Sequence, residues 1–485
     1  MFENIKNLFY KVVSSILPAS NVAKSMNVTL PVNDLMTRKI EFWKQMYMDV
    51  PEWTRTDEWD NFRTAGLSSA IASEFARLTT LEFVSEIKGE DPRSVFLNEQ
   101  YQELLKNVRV KTEYATALGG MMIKPFPDNG KIAIDFVQAD KFFPVTFSSN
   151  GEITSCIFVE HLTKEDYTFT RTEFHELTDN GYVVTNRAFK RKADTVGNNL
   201  GDPVSLSSVD EWSHLASRAE LPTVKRPLYA YFKMPFANII NMDSNLGVSV
   251  FARAERLIRQ ADEMWNAMQW EYDAKEVAID VNEDMLKPIL VEGRVVYQAI
   301  PKGKERMFRT FDADSKNNST FYNVYSPEIR ESSYITGYNK ILQQIEFSCG
   351  LAYGTLSDPN VIAKTATEIK ISKQRSYATV ADIQTNLEEA LRETIDIMET
   401  WTDIEKLAPA RTDEDLSVSF TWDDSIITDT ETESKIRMSE VAAGIIDPIN
   451  YVKWRYKLDN DEDALLLMPR GSEMIAEQEI DETEE

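Results

Sequence analysis

The sequence predicts an α+β protein in which antiparallel β segments are followed by unusually long helices. Three Asn-Gly pairs, at 129–130, 150–151 and 180–181, separate alternating or apolar runs between about residues 121 and 240. Asn-Gly favours the tight turn of an antiparallel hairpin, because both turn positions take positive φ. Farther along, apolar residues recur at helical spacing in three long stretches. Hairpins followed by long helices define the fold class.

Before and within the β region, two helices and one loop are predicted. The first helix runs from Trp59 to about Thr79, with Ala70, Ile71, Phe75 and Leu78 on one face. The second runs from about Leu97 to Leu118 and ends at Gly119-Gly120, which are suited to a helix C-cap. The polar, turn-rich stretch 194–222 is expected to form a loop.

A pair of helices with an insert follows the β region. The first helix is predicted from Ser249, a suitable N-cap, to Ala274. The second starts at Ser326-Pro327 and fades at Gly350 or Gly354. Each spans roughly 26 residues, or about 39 Å. Because the lengths match and residues 275–325 contain short β-like runs, an antiparallel helix pair with a small β module at its tip is expected.

The C-terminal part is predicted to be helical. Thr365 and Glu368 fit a capping box, and the helix they start runs to about Trp401, roughly 36 residues or 55 Å. Its expected buried face consists of Val380, Ile383, Leu387, Leu391, Ile395 and Met398. A strand at 416–422 and three short helices at 434–443, 448–457 and 462–468 come next, before an acidic tail from Glu473.

Composition excludes several classes of protein. The net charge of -26 argues against a protein that coats DNA by neutralising phosphates. No apolar run reaches about 18 residues, so no membrane span is expected. Cys156 and Cys349 form neither a disulfide framework nor a metal cluster, which indicates a reducing compartment. Residues 1–18 have helical spacing of apolar residues and are expected to dock on the protein or a neighbour; a membrane-surface helix is the alternative.

The motifs of common enzymes do not occur in the sequence. It has no phosphate-binding loop, dinucleotide fingerprint, His-Glu-x-x-His or nucleophile elbow. His161, His175 and His214 are expected to be surface or packing residues. The acidic run 459–463 resembles half a calcium loop but has Ala464 where glycine belongs, so we interpret it as a helix N-terminus. No enzyme activity, cofactor or metal is therefore expected.

The order of these elements resembles that of tailed-bacteriophage portal proteins, particularly those of long-tailed phages of Gram-positive hosts. Local segments that resemble the family are SSAIASEFARLTTLEFVSEI, EYATALGGMMIKPF with IDFVQADKFFPVTF, SDPNVIAKTATEIKISKQRS and MSEVAAGIIDPINYVKWRY. The resemblance implies a wing at 1–243, stem helices at 244–274 and 326–353, a clip at 275–325, a tunnel loop at 354–364, a wing or spine helix at 365–403, and a crown with an acidic tail at 404–485.

The resemblance also implies a function. Portal proteins form a ring of about twelve copies at one capsid vertex, through which double-stranded DNA passes without sequence specificity during packaging and ejection. The implied partners are the terminase large subunit, the head–tail connector or adaptor, and the major capsid and scaffolding proteins. Assembly would take place in the host cytoplasm. The alternatives are another virion protein, such as a minor capsid or adaptor subunit, and a terminase-like ATPase-nuclease, which the missing phosphate loop disfavours.

Three sets of site residues follow from this resemblance. The tunnel-loop set, expected to contact DNA, is Ser357, Asp358, Asn360, Val361 and Lys364. The clip set, a basic cluster expected to dock a partner or meet DNA, is Lys302, Lys304, Arg306 and Arg309. The stem set, expected to pack on the partner helix and on the next subunit, is Trp265, Met268 and Trp270. The respective alternatives are an ordinary helix–helix connection, a solvated hairpin and a helix buried in a monomer core.

Overall fold

The computed structural model is a mixture of helix and sheet, which confirms the α+β class. It describes residues 18–30, 34–55, 62–193, 199–274, 278–282, 288–291, 294–297, 308–311, 322–325, 328, 330–358, 366–410, 416–422, 430–456, 458 and 460–467. The chain divides into two compact units, one extending to Thr421 and the other starting at Trp422.

The first unit begins with helices. They are α1 (Ala19–Met26), α2 (Asp34–Tyr47) and α3 (Leu67–Thr80), followed by strand β1 (Val84–Lys88) and helices α4 (Pro92–Leu105) and α5 (Val108–Leu118). The prediction that α3 starts at Trp59 is wrong, because residues 62–66 are not helical and Gly66 takes a left-handed φ of 68° just before Leu67.

The single helix predicted at 97–118 is two helices. Asp91 caps α4 by accepting hydrogen bonds from the backbone N–H groups of Arg93 and Ser94, and Pro92 occupies the first helical position. The helix therefore starts earlier than expected, and it breaks before Asn107. Gly119, with a φ of 92°, ends α5 as predicted.

The β region forms two antiparallel sheets. Its strands are β2 (Gly120–Asp128), β3 (Lys131–Gln138), β4 (Phe142–Phe147), β5 (Ile153–Lys164), β6 (Tyr167–Thr178), β7 (Gly181–Lys192), β8 (Asp202–Val204), β9 (Arg218–Leu221) and β10 (Ala230–Lys233). The small sheet has the order β10-β2-β3, and the large one β4-β5-β6-β7-β8, with β9 also paired to β7. The stretch predicted to be a loop at 194–222 therefore contains two short strands.

Each predicted hairpin is present, although the turns differ in detail. Asn129 and Gly130 both take positive φ between β2 and β3, as the Asn-Gly signal requires. Five residues join β4 to β5. In the third hairpin Thr178 pairs with Gly181, so the glycine belongs to the strand and not to the turn. The β5–β6 hairpin, which has no Asn-Gly pair, turns at Glu165 with a φ of 51°.

The predicted helix pair is confirmed, and both helices are shorter than expected. Helix α6 (Glu255–Ala274) has 20 residues and packs on a later helix of 19 residues, Glu331–Cys349, so each spans about 30 Å. Ser249 is not the N-cap of α6, since a 3-10 turn at Ala252–Ala254 precedes the helix. Ser326 and Pro327 lie outside the described residues.

The β module between the two helices is also confirmed. Its strands are β11 (Ala278–Asn282), β12 (Pro288–Val291), β13 (Arg294–Tyr297), β14 (Phe308–Phe311) and β15 (Tyr322–Tyr325), followed by the second helix, α7 (Glu331–Cys349). Strand β11 pairs antiparallel with β15 and parallel with β14, while β12 and β13 form a hairpin. Because Ala278 is opposite Tyr325, the module joins both helices at the same end.

Helix α8 (Ala366–Glu405) crosses the first unit, and strand β16 (Ser417–Thr421) follows it. With 40 residues, α8 is about 60 Å long. All six residues of its predicted face are buried. Thr365 of the predicted capping box lies outside the described residues. Strand β16 pairs antiparallel with β1, so it belongs to the first unit.

The second unit consists of α9 (Thr430–Ala442), α10 (Pro448–Tyr456) and α11 (Asp461–Leu467), as predicted. The Arg437 guanidinium lies 4.4 Å from the ring centroid of Trp454, which ties α9 to α10. Lys453 and Asp461 form an ion pair at 2.6 Å. Asp461 starts α11, which confirms the interpretation of the acidic run as a helix N-terminus. The predicted N-terminal amphipathic helix and the acidic tail lie outside the described residues.

A half-buried carboxyl on α8 predicts a pH-dependent stability. Burial raises the pKa of Glu393 to about 7; Arg226 opposes the shift, and Glu152 and Asp396 add to it. Because the folded pKa lies above the ordinary value of 4.5, stability falls as the pH rises from about 4.5 through 7, and the loss is complete above the folded pKa. We expect Glu393→Gln to raise the melting temperature at pH 8 and to change it little at pH 5. Equal shifts at both pH values, or the same shift for the exposed Glu389→Gln control, would contradict this.

Candidate functional site

The antiparallel helix pair is held by aromatic and small side chains. The ring of Trp265 on α6 lies 5.9 Å from that of Tyr338 on α7. One residue away, the Met264 side chain of α6 packs over Gly337 of α7, where a Cβ would lie 2.7 Å from its terminal carbon. These contacts fix the register of the two helices.

An ion pair connects the two helices at the end that carries the β module. Arg330 donates two hydrogen bonds to the carboxylate of Glu271, at 3.1 and 2.8 Å. This bidentate pairing lowers the pKa of Glu271. As Arg330 precedes α7 and Glu271 lies in the last turn of α6, the pair connects the two helices where the module is attached.

Buried polar contacts attach the middle of α6 to residues that precede α3. The carboxylate of Asp262 accepts hydrogen bonds from Trp53 Nε1 at 3.0 Å and from the backbone N–H of Ala65 at 2.8 Å. Burial raises the pKa of Asp262, and the two hydrogen bonds offset part of that shift. One turn later, Asn266 exchanges two hydrogen bonds with the backbone of Arg63. The segment before α3 is thereby attached to α6.

The three predicted stem residues have different environments. Trp265 and Met268 are half-buried, and Trp265 packs on the partner helix. Trp270 is 61% exposed. Two different faces of α6 thus carry large apolar side chains, one of them turned towards solvent in the single subunit.

The segment predicted to begin the tunnel loop is attached to α7. Ser357 is only 3% exposed, and its backbone N–H and hydroxyl both donate to the carboxylate of Glu346, at 2.8 and 2.9 Å. The backbone N–H of the exposed Asp358 donates to Asn339 Oδ1 at 2.8 Å. The environment of Ser357 therefore differs from the expected one, because its side chain faces α7. Asn360, Val361 and Lys364 lie outside the described residues.

The predicted basic cluster falls mostly outside the described residues, which include neither Lys302, Lys304 nor Arg306. The backbone of Arg309 lies on β14, an edge strand of its sheet, with Asp280 of β11 as its register partner. The cluster stays a prediction.

The described residues give no metal site and no membrane span. Within them, no three His, Cys, Asp or Glu side chains are grouped to hold a metal ion. No helix in the described part of the chain is long and apolar enough to cross a membrane. Both cysteines are free and buried. His175 is buried and bonds to Glu173 and Tyr182, each at 2.7 Å, as expected for a packing residue.

Sequence reasoning missed the two buried carboxylates that anchor the helix pair. Asp262 and Glu346 each follow a buried apolar residue on a helix, Ala261 and Ile345 respectively. A carboxylate on a buried face needs hydrogen-bond donors, because desolvation of an unpaired charge is costly. The sequence could therefore have indicated that these two carboxylates need hydrogen-bond donors, although it does not identify the donor residues.

The described residues thus form an α+β body that carries an antiparallel helix pair with a β module at one end. A family model described as "Phage portal protein, SPP1 Gp6-like" matches residues 81–485, which is most of the chain. The chain therefore belongs to this family of phage portal proteins. No curated protein matches it.

Membership in the family establishes the general function. A phage portal protein is a structural component of the virion at the capsid vertex and takes part in DNA packaging. The family implies a ring oligomer that interacts with the capsid and the terminase. The alternative of another virion structural protein is not favoured.

The environments of the two tryptophans on α6 predict different effects on stability. Trp265→Ala should lower the free energy of unfolding by about 1–3 kcal/mol, because it removes packing against Tyr338. Trp270→Ala should change it by less than about 0.5 kcal/mol, since that side chain is mostly exposed in the subunit. Urea denaturation at one low protein concentration measures both. Equal losses for the two variants would mean that α6 and α7 do not pack as described.

Proposed function

We propose that this portal protein forms a closed ring of about twelve copies around a DNA channel. In this proposal α6 and α7 are the stem, residues 275–325 the clip and residues 354–364 the tunnel loop. Residues 1–243 and 365–403 form the wing with its spine. The crown and its acidic tail are proposed at 404–485, a range whose strand β16 pairs with β1.

The observation that carries the proposal is the antiparallel helix pair with a β module at one end. A ring needs one surface of each subunit to fit a different surface of the next. Helices placed side by side can provide both surfaces along their length. The exposed Trp270, on a different face from the half-buried Trp265, supports a contact between neighbouring stems.

The charge of the chain suits a channel in which DNA slides. Carboxylates that line a lumen repel phosphates and thereby prevent tight binding. Near physiological salt this repulsion extends only about 8 Å, so it requires a narrow passage. We propose that Asp358, Asn360, Val361 and Lys364 contact the DNA there. Ser357, whose hydroxyl is bonded to Glu346, positions the loop instead.

We assign partner docking to the clip. The basic residues Lys302, Lys304, Arg306 and Arg309 would meet acidic surfaces of the terminase large subunit and later of the head–tail connector or adaptor, or the DNA as it enters. The major capsid and scaffolding proteins are further proposed partners. We further propose that the ring assembles in the host cytoplasm and serves in genome retention and ejection. The proposed host is Gram-positive.

Deletion of residues 360–363 tests the proposed channel. The deletion removes proposed DNA contacts and leaves the bonds of Ser357 and Asp358 to α7 intact. We therefore expect rings of wild-type mass that package or retain less DNA. The measurement is DNase-protected DNA in procapsids packaged in vitro with purified terminase. A matched control deletes residues 195–198, between β7 and β8.

Two outcomes would contradict the proposal. Wild-type amounts of packaged and retained DNA with the 360–363 deletion would mean that the loop has no role in the channel. Failure of the variant to form rings, while the 195–198 deletion assembles, would mean that the segment is an ordinary structural connection.

A further inference from the structure

The position of the segment between α7 and α8 depends on its contacts with the two helices. Its described part, residues 350–358, carries one small-residue turn after another: Gly350 and Gly354 both take positive φ. Such a segment has few intrinsic restraints, because glycine lowers the cost of many backbone conformations. Its position is therefore set by what it binds.

The main hydrogen-bond partner of this segment is the carboxylate of Glu346 on α7. Glu346 is fully buried. Its Oε1 accepts hydrogen bonds from the backbone N–H groups of Gly354, Leu356 and Ser357, at 3.1, 2.6 and 2.8 Å, and its Oε2 accepts one from the Ser357 hydroxyl. Hydrogen bonds to a charged acceptor are about twice as strong as neutral ones. A single side chain thus binds three residues of the segment.

A second side chain of α7 extends the attachment towards the clip end of the helix. Asn339 accepts the backbone N–H of Asp358 and lies seven residues, or two turns, before Glu346 on the same side of α7. The segment therefore runs back along α7 for about 10 Å. Asp358, the last residue of the described segment, therefore lies against α7.

Helix α8 holds the segment from the other side. The guanidinium of Arg375 lies 4.5 Å from the ring centroid of Phe347 and 5.8 Å from that of Tyr353. A Cβ on Gly350 would come within 2.7 Å of Thr379 Oγ1, so the turn after α7 lies directly against α8. Residues 350–353, at the start of the segment, therefore lie next to both α7 and α8.

We propose that Glu346 is the positioning residue of the tunnel loop: its carboxylate fixes the start of the loop on α7, so that the stem sets where the loop enters the channel. This rests on the proposed function of residues 354–364. The alternative is that Glu346 only stabilises the fold, in which case the loop would work equally well without the attachment.

The test compares Glu346→Gln with Glu331→Gln, the same chemical change at an exposed position of the same helix. Glu346→Gln keeps one acceptor oxygen for the backbone N–H groups but removes the negative charge, which weakens these hydrogen bonds, and its NH2 group cannot accept the Ser357 hydroxyl. Full-length rings of each variant are compared by amide hydrogen exchange with mass spectrometry and by DNA packaging in vitro. We expect exchange at residues 354–358 to become at least about tenfold faster in Glu346→Gln, with α6 and the first half of α7 unchanged.

The packaging result decides between positioning and mere stability. We expect Glu346→Gln rings to package several-fold less DNA than wild type and Glu331→Gln rings to match wild type. Faster exchange at 354–358 with normal packaging would overturn the proposal, and so would unchanged exchange. If Glu346→Gln does not assemble, Ser357→Ala is tested instead; it removes the hydroxyl's bond to Glu346 and the bond that the hydroxyl accepts from the Gly354 N–H. It should show a smaller increase in exchange together with a smaller packaging loss. Normal packaging despite faster exchange would again overturn the proposal.

The 360–363 deletion separates this proposal from the channel proposal. If rings with that deletion package DNA normally, the function proposed for the loop is wrong. If the deletion impairs packaging while Glu346→Gln and Ser357→Ala do not, the loop functions in the channel and only the role of Glu346 is wrong.

Discussion

Burial of one face of α8 is the constraint on which the first unit depends. This helix packs on β2 and β10 of the small sheet and on α3 and α4, so it joins elements that are far apart in sequence. Polar contacts fix its position: Trp401 Nε1 donates to the carbonyl of Pro125 at 2.9 Å, and Asn386 Nδ2 to that of Lys233 at 2.8 Å. Because α8 is one continuous helix, the end nearest the proposed tunnel loop is held in a fixed position relative to the body.

The helix pair is attached to this frame by buried carboxylates. Asp262 binds the segment before α3 to α6, and Glu346 binds the segment after α7. Each carboxylate loses its hydrogen bonds to water on burial and accepts hydrogen bonds from backbone N–H groups instead. The helix pair, the body and the start of the proposed loop are thereby connected through a few short hydrogen bonds, which would suit the proposed channel.

Local signals in the sequence predicted most elements, and long-range pairings were not predictable. The apolar face of α8 and the Asn129-Gly130 turn depend on residues within a few positions of one another, and both are confirmed. By contrast, β1 and β16 pair across more than 300 residues, from Val84 opposite Thr421 onward, and neither strand identifies its partner. The hydrogen-bond donors around Glu346 were not predictable for the same reason, since only the fold brings them together. The function came from a resemblance that the family match supports, and not from periodicity or composition.

Cryo-electron microscopy of the purified full-length protein tests the central claim most directly, namely that α6, α7 and their β module form one sector of an annulus. The account predicts closed rings with a central hole, in which the helix pairs of adjacent subunits stand side by side around the axis and the β modules crowd one rim. Monomers at every concentration, or assemblies in which these helices lie inside a closed globule without a hole, would contradict it.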